Sequence, residues 1–484
     1  MSELENLDPK AIWHFFNEVC QVPRPSKHEG KIIDYLLHFA ELHQLQVKKD
    51  DAGNILIKKP GSKGLETGNT IILQSHMDMV CEKNEGVNHD FFNDPIVPFV
   101  ENGWVRARNT TLGADCGIGM AASLAILASR ELAHPPIEAL FTVDEETGLT
   151  GAQALKEGFM DGKILLNLDS EDEGELFIGC AGGIDTVGTL KYNVEPVPDN
   201  HTAFKISVSG LLGGHSGDDI EKGRGNSIKI LNRFLYQLNN SCEYHIAVFQ
   251  GGNLRNAIPR ESSVLFVVPS GKKEHLTIEL NHFRAEMENE LLLKEPKFKI
   301  TLESAEMPAS VLDNTSQSLL INMLYAMPHG VHTMSARMVG MVESSTNLAS
   351  IKFKKDNTIE VITSQRSDQE SGKQDIYQMV EGVFRLAGAI ARRGEGYCGW
   401  TPNPESRTLA ISRKCYEDLF GVKPVVRSIH AGLECGLFLE KFPELDMISF
   451  GPTLRGVHSP DEKIEIASVL KFWNYLTKLL PELS

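Results

Sequence analysis

Apolar and polar positions change rhythm along the chain, and the changes divide it. In the first stretch, short apolar runs alternate with amphipathic segments, which predicts strands at 71–75, 137–143 and 163–168 and helices at 26–43 and 116–133. Ser26 stands where a helix cap is expected, and Pro135 and Pro136 precede the second strand. Strand and helix in alternation is the signature of a largely parallel sheet covered by helices. After Gly182-Gly183 the period shortens to two. Strands are expected at 204–208, 245–249, 264–268 and 298–302, with amphipathic helices near 224–239 and 273–293, which reads as an α+β domain. A second set follows in similar order, with a helix near 316–326, strands near 347–353 and 358–364 and a helix at 374–393, so the segment has the order of a degenerate duplication. From about Trp400 the first rhythm returns, as a helix at 408–419, a strand at 423–428, a helix at 432–441, a strand at 447–450 and a terminal helix.

A chain of 484 residues exceeds what one hydrophobic core usually supports. The simplest organisation is an α/β domain with a largely parallel central sheet flanked by helices, formed by residues 1–183 and 401–484. An inserted α+β lid domain at 184–400 interrupts it.

Composition narrows the function classes. Apolar residues at 41% and charged residues at 23% are ordinary globular usage, so disorder and fibrous classes have no support. The balance of 65 acidic against 48 basic side chains gives a net charge of −17, which opposes phosphate backbones and anionic membranes. Apolar stretches such as 120–128 are too short to span a bilayer. Residues 1–13, with Glu3, Glu5 and Asp8, lack the basic and apolar blocks of a secretion signal, so a cytoplasmic location is expected. The eight cysteines form no Cys-x-x-Cys pair, which excludes a zinc ribbon and argues against a disulfide framework. Cys116 and Cys435 read as buried thiols.

The candidate chemistry lies where the predicted strands end. Open α/β sheets bind ligands beyond the carboxyl ends of their strands. Those ends here read Ser75-His76-Met77-Asp78, Asp144-Glu145-Glu146 and Asp169-Ser170-Glu171. Taken singly, each has a plain reading. His76 and Asp78 suit a polar loop, Asp115 a helix cap, and Glu145 and Glu146 a solvated turn. The run His458-Ser459-Pro460-Asp461-Glu462 suits a helix start with Ser459 as cap and Pro460 in the first turn. Taken together, two histidines and several carboxylates supply what a pair of zinc ions requires, because a carboxylate can bridge two ions. Adjacent Glu145 and Glu146 suit a division in which one binds metal and the other stays free as a base.

The order His76-x-Asp78, Asp115, Glu145-Glu146, Asp169, His458 resembles the co-catalytic zinc peptidases, the family of glutamate carboxypeptidase, acetylornithine deacetylase and peptidase T. That resemblance implies two zinc ions, with manganese or cobalt as substitutes. Asp115 would bridge them, His76 and Asp169 would complete one site, and Glu146 and His458 the other. Asp78 would orient His76, Glu145 would be the general base, and a cis peptide would follow Asp115.

In the lid, Gly213-Gly214-His215-Ser216-Gly217 resembles the segment whose histidine stabilises the oxyanion, often across a homodimer. Asn253 to Pro259, with Asn256, and Arg366 match positions that hold a substrate carboxylate. A glycine turn and an exposed strand arginine are the plain alternatives. Over essentially the whole chain the phrases 73–80, 108–115, 428–436 and 451–460 are similar to the aminoacyl-histidine dipeptidase branch, which cleaves carnosine and other small unblocked dipeptides. His430 and Glu434 would then lie near the substrate, or form a strand-to-helix turn. The acidic run Ser170 to Glu173 is a candidate for the substrate amine. The rival readings are a deacylase of N-acyl amino acids on the same fold and a metal-free binding module.

Overall fold

Runs of Ile, Leu and Val bounded by proline and glycine form strands buried on both faces. In the computed structural model, which describes residues 3–484, Ile71–His76 is buried throughout. It pairs in parallel with Ile137–Thr142 on one side and Ile164–Asn167 on the other. Asp446–Ser449 adds a fourth parallel strand beside Ile164–Asn167. The margins are antiparallel: Ile55–Lys59 and Gln46–Lys49 at one side, Glu175–Cys180 beyond Asp446–Ser449 at the other. These marginal strands are short and carry little alternation, and the sequence reading does not include them.

Helix Ala114–Ala128 is apolar almost all round and correspondingly buried, with Trp13 and Phe16 of helix Lys10–Cys20 buried in the same unit. Three local expectations are corrected. The helix expected from Ser26 starts at Gly30, because the Ser26 hydroxyl donates instead to the Asp78 carboxylate at 2.7 Å. The run after His458 forms no helix; Glu462 turns its carboxylate inward, and a short strand, Lys463–Glu465, precedes helix Ile466–Glu482. The helix expected to reach 393 ends at Leu386. Gly388 there takes a left-handed φ of +73°, and Ile390–Tyr397 pairs as a strand with Gly182–Lys191.

The chain packs as two units. One holds the residues up to Gly179 with Trp400–Ser428 and Leu433–Ser484; the other holds Cys180–Gly399 and Ile429–Gly432. The second unit thus also takes in a short stretch around His430 that the sequence reading leaves in the α/β domain. Its sheet has nine strands. In spatial order they are Lys299–Ser304, His201–Ser209, Ser262–Pro269, His245–Gly251, Val342–Phe353, Thr358–Ser367, Gly182–Lys191 and Ile390–Tyr397, with Gly330–Met334 also against Val342–Phe353. The two sets of strands join where Gly251 meets Ile351.

One core of this unit gathers Phe204, Phe249 and Phe266 from strands with Phe234, Phe283, Leu320 and Phe384 from helices. At Gly188 the Phe384 ring comes so close that a Cβ would sit 2.0 Å from it, which is why glycine stands there. A smaller cluster, Ala203, Val267 and Val311, forms separately. No disulfide joins the cysteines, and no helix among the described residues is long and apolar enough to cross a membrane.

Candidate metal centre

The first unit gathers His76, Asp115, Glu145, Glu146, Asp169 and His458 at the carboxyl ends of its parallel strands. Asp115 lies between the two imidazoles. Its Oδ1 is 3.1 Å from His76 Nε2, and its Oδ2 is 3.2 Å from His458 Nε2. Asp169 Oδ1 stands 3.3 Å from His76 Nε2, and Glu146 Oε2 stands 3.0 Å from His458 Nε2. The two histidines therefore head two groups that share one carboxylate. The peptide between Asp115 and Cys116 is cis, and His458 has a φ of +59°.

Electrostatics follows from crowding acids in a buried place. Burial alone would raise the Asp115 carboxyl, but the two imidazoles outweigh it and hold it well below the usual range. Burial pushes Asp169 up to about 6 against the pull of His76. Burial also drives Glu145 well above an ordinary glutamate, with Asp169, Glu146 and Glu434 adding to the rise. His458 is raised to about 11 by Asp115 and Glu146. Glu146 Oε1 and Asp169 Oδ1 are buried and accept no hydrogen bond. Such unpartnered carboxylate oxygens beside imidazole nitrogens are the donor set of a divalent metal pair, and the residues fit it.

Buried side chains hold these groups in place. The Asp78 carboxylate lies 3.4 Å from His76 Nδ1 and accepts the backbone N–H groups of Glu145 and Glu146 at 3.0 and 3.2 Å. One carboxylate thereby fixes members of both groups. Three further residues escape the sequence reading in this role. Glu462 accepts four successive backbone N–H groups, from Leu112 to Asp115, and so pins the turn that carries the shared aspartate. Arg24, 2% exposed, donates to the carbonyls of Met77, Asp78 and Gly113. Glu434 accepts from Gln74 and Thr142 beneath the strand ends, and burial pushes it up to about 8. A lone basic residue between prolines, an acid in a loop and an acid at a helix start carry no periodic signal; their role shows only as burial.

Within the acidic run after Asp169, Asp172 and Glu173 pair with Arg455 and Lys471, whereas Glu171 feels Asp115 and Asp169 and is raised to about 8, mainly by burial. Cys116 is a buried thiol that donates to the Leu168 carbonyl, and burial pushes it well up.

The second unit brings together the remaining candidates. Arg366, 7% exposed, donates to Tyr397 Oη at 3.0 Å and Ser216 Oγ at 3.4 Å. His430 Nε2 is 2.7 Å from Ser345 Oγ, and burial with the charge of Arg366 pushes its imidazole down to about 3. His215 lies against Gly217, where a Cβ would strike the His430 carbonyl oxygen at 2.0 Å. Asn256 holds this loop through its backbone, accepting the Ser216 N–H at 2.8 Å, and its residue is exposed.

Comparison with known proteins places the whole chain beside peptidases. The cytosol non-specific dipeptidase of Escherichia coli is 42% identical over 483 residues, covering 100% of this chain and 99% of that protein. The aminoacylhistidine dipeptidase of Vibrio alginolyticus superimposes with a TM-score of 0.92 at 43% identity, over 99% of this chain and 98% of the other. The aminopeptidase PepT of Bacillus cereus, at 16% identity and a TM-score of 0.56 over 99% of both chains, shares the fold. The family model for peptidase family M20/M25/M40 matches residues 72–482, a span that runs from the strand bearing His76 to the last helix, and the chain is a member of that family.

Proposed function

We propose that this chain is a metal-dependent dipeptidase that hydrolyses small unblocked dipeptides, Xaa-His dipeptides such as carnosine among them. One observation carries the reading: a single carboxylate, Asp115, spans two imidazoles, with Glu145 beside them. The dipeptidases of E. coli and V. alginolyticus support the substrate class.

In this reading His76 and Asp169 would hold one zinc ion and Glu146 and His458 the other, with Asp115 contributing to both. When bound, the pair supplies Lewis acidity, acidifying water and polarising the scissile carbonyl. The protein's own part is proton transfer and positioning. Glu145 takes a proton from the attacking water as the new C–O bond forms. It then returns that proton to the departing amine as the C–N bond breaks. Asp78 keeps the His76 ring in one orientation through this cycle and holds the turn carrying Glu145. His215 donates to the developing oxyanion, while Arg366, Asn256 and His430 receive the carboxylate end of the substrate. Support for that last role comes from Arg366, whose hydrogen bonds among the described residues go to the Ser216 and Tyr397 hydroxyls rather than to a carboxylate, leaving its charge available to an anion. The protein works in the cytoplasm, as its E. coli relative is named for, and as a homodimer through the second unit.

Purified protein should be assayed on carnosine, other dipeptides and N-acetyl amino acids, with metal content measured alongside. Cleavage of free dipeptides and metal near two equivalents is the expected result. Preference for the N-acetyl compounds would replace the reading with a deacylase.

A further inference from the structure

A second cluster of metal-binding side chains lies in the second unit, apart from the centre described above. His201, Glu243 and His245 each present a ligand atom, and the three atoms lie within 4.8 Å of one another. The sheet explains why they meet. His201 opens one strand and pairs with Pro269; His245 opens another and pairs with Val267. Paired residues project to one face, and residues two apart on a strand share a face, so both imidazoles rise on the side of Val267 and Ala203. Their ring centroids are 5.6 Å apart.

Hydrogen bonding leaves the ring nitrogens incomplete. His201 Nδ1 is 2.9 Å from the Asp199 carbonyl, which fixes its proton on that nitrogen and leaves a lone pair on Nε2. That Nε2 is buried and has no partner. His245 is 5% exposed, and its Nδ1 is likewise buried without a hydrogen bond. Its Nε2 lies 3.2 Å from Glu243 Oε1, while Glu195 Oε1 stands 3.7 Å from the Nδ1 side. Bonds of about 2 Å in a tetrahedron place zinc ligands roughly 3.3 Å apart, close to the spacing of His245 and Glu243. The His201 Nε2 lone pair and the Glu243 carboxylate thus face the same space as the His245 ring.

We propose that His201, Glu243 and His245 form a second divalent-cation site, of the zinc class. Two imidazoles and a carboxylate select zinc, nickel or copper over magnesium and calcium. Three protein ligands leave a fourth position to water, so the site exchanges with free metal rather than holding it permanently. Its role is structural. It clips together the starts of two strands that are joined only through the strand between them, and makes the stability of this unit depend on free zinc.

The test uses zinc alone as probe. Chelator-stripped protein is dialysed against defined free zinc, and bound zinc is counted for the parent, His201→Ala and His245→Gln. Each variant should bind one equivalent fewer per chain at saturation, with dipeptidase activity unchanged. In an Asp115→Ala/His458→Ala background, zinc should still raise the melting temperature, and adding His201→Ala should remove that rise. Should either histidine variant fold poorly, Glu243→Gln, at a largely exposed side chain, should weaken the same equivalent at least tenfold. Equal zinc counts in parent and variants, with no change in the melting response, would overturn the proposal and leave an imidazole–carboxylate hydrogen-bond cluster.

Discussion

Glu462 offers the sharpest test of how the shared aspartate is held. Its side chain is 2% exposed. One oxygen accepts the N–H groups of Leu112 and Gly113 at 2.7 and 2.9 Å, and the other those of Ala114 and Asp115 at 2.8 and 3.3 Å. Burial pushes this carboxyl up, while the four donors favour the ionised form. Glu462→Gln keeps the shape but leaves one acceptor oxygen, so two N–H groups would face an amide NH2. Hydrogen bonds to a charged group are worth about 1.5–3 kcal/mol each, so losing two costs about 3–6 kcal/mol. In a unit of this size that corresponds to a fall in melting temperature on the order of 10 °C. Displacement of Asp115 should also reduce kcat/KM, and a shift of about 1 Å at such a group costs on the order of a hundredfold. Thermal melts followed by circular dichroism, dipeptide turnover and zinc content would be measured together. A variant that melts within about 2 °C of the parent, with unchanged turnover, would show that the carboxyl is already protonated in the fold and that the reasoning is wrong.

Glu145→Gln should abolish turnover while metal content stays at the parent level, since the amide cannot accept a proton; near-normal activity would remove Glu145 as the base. Asp78→Ala should weaken metal binding about 10- to 100-fold, as the loss of an orienting carboxylate commonly does, and equilibrium dialysis would read it. His329 gives a pH prediction. Its Nδ1 accepts from the Leu348 N–H and from Asn226 at 3.3 and 3.4 Å, and burial with the nearby Lys229 charge pushes it from 6.5 down to about 4. Above pH 6.5 neither state carries the proton, so its contribution is complete. As the pH falls from 6.5 to 4 the unfolded chain binds a proton that the native one does not, and stability should drop by about 3 kcal/mol. Urea melts from pH 7.5 to 4.5 should show that slope in the parent and a shallower one in His329→Gln; identical slopes would refute it.

Much of the centre was legible because its chemistry sits at strand ends. His76, Asp115, Glu145, Glu146, Asp169 and His458 are all polar residues that interrupt or follow apolar runs, and the structure brings them into one place. The parallel strands were legible for the same reason, since burial on both faces demands unbroken apolar runs. Local capping logic failed where a tertiary partner claimed the side chain. Ser26 binds Asp78 rather than a helix end, and Glu462 binds the turn before Asp115 rather than starting a helix. Arg24 was invisible because three carbonyls far along the chain define its role, and no local pattern encodes them. Only the first part of strand Ile390–Tyr397, up to 393, falls within the expected helix, because the stop at Gly388 was passed over.

The parallel strand Asp446–Ser449 has a consequence for synthesis. It lies between Ile164–Asn167 and Glu175–Cys180 in the sheet, so both neighbours leave the ribosome long before the strand that joins them. At about 5–20 residues per second the gap stays open for on the order of tens of seconds. During that interval the nascent chain exposes unpaired strand edges and a half-built centre without His458, which makes it a client for chaperones and an aggregation risk at high expression.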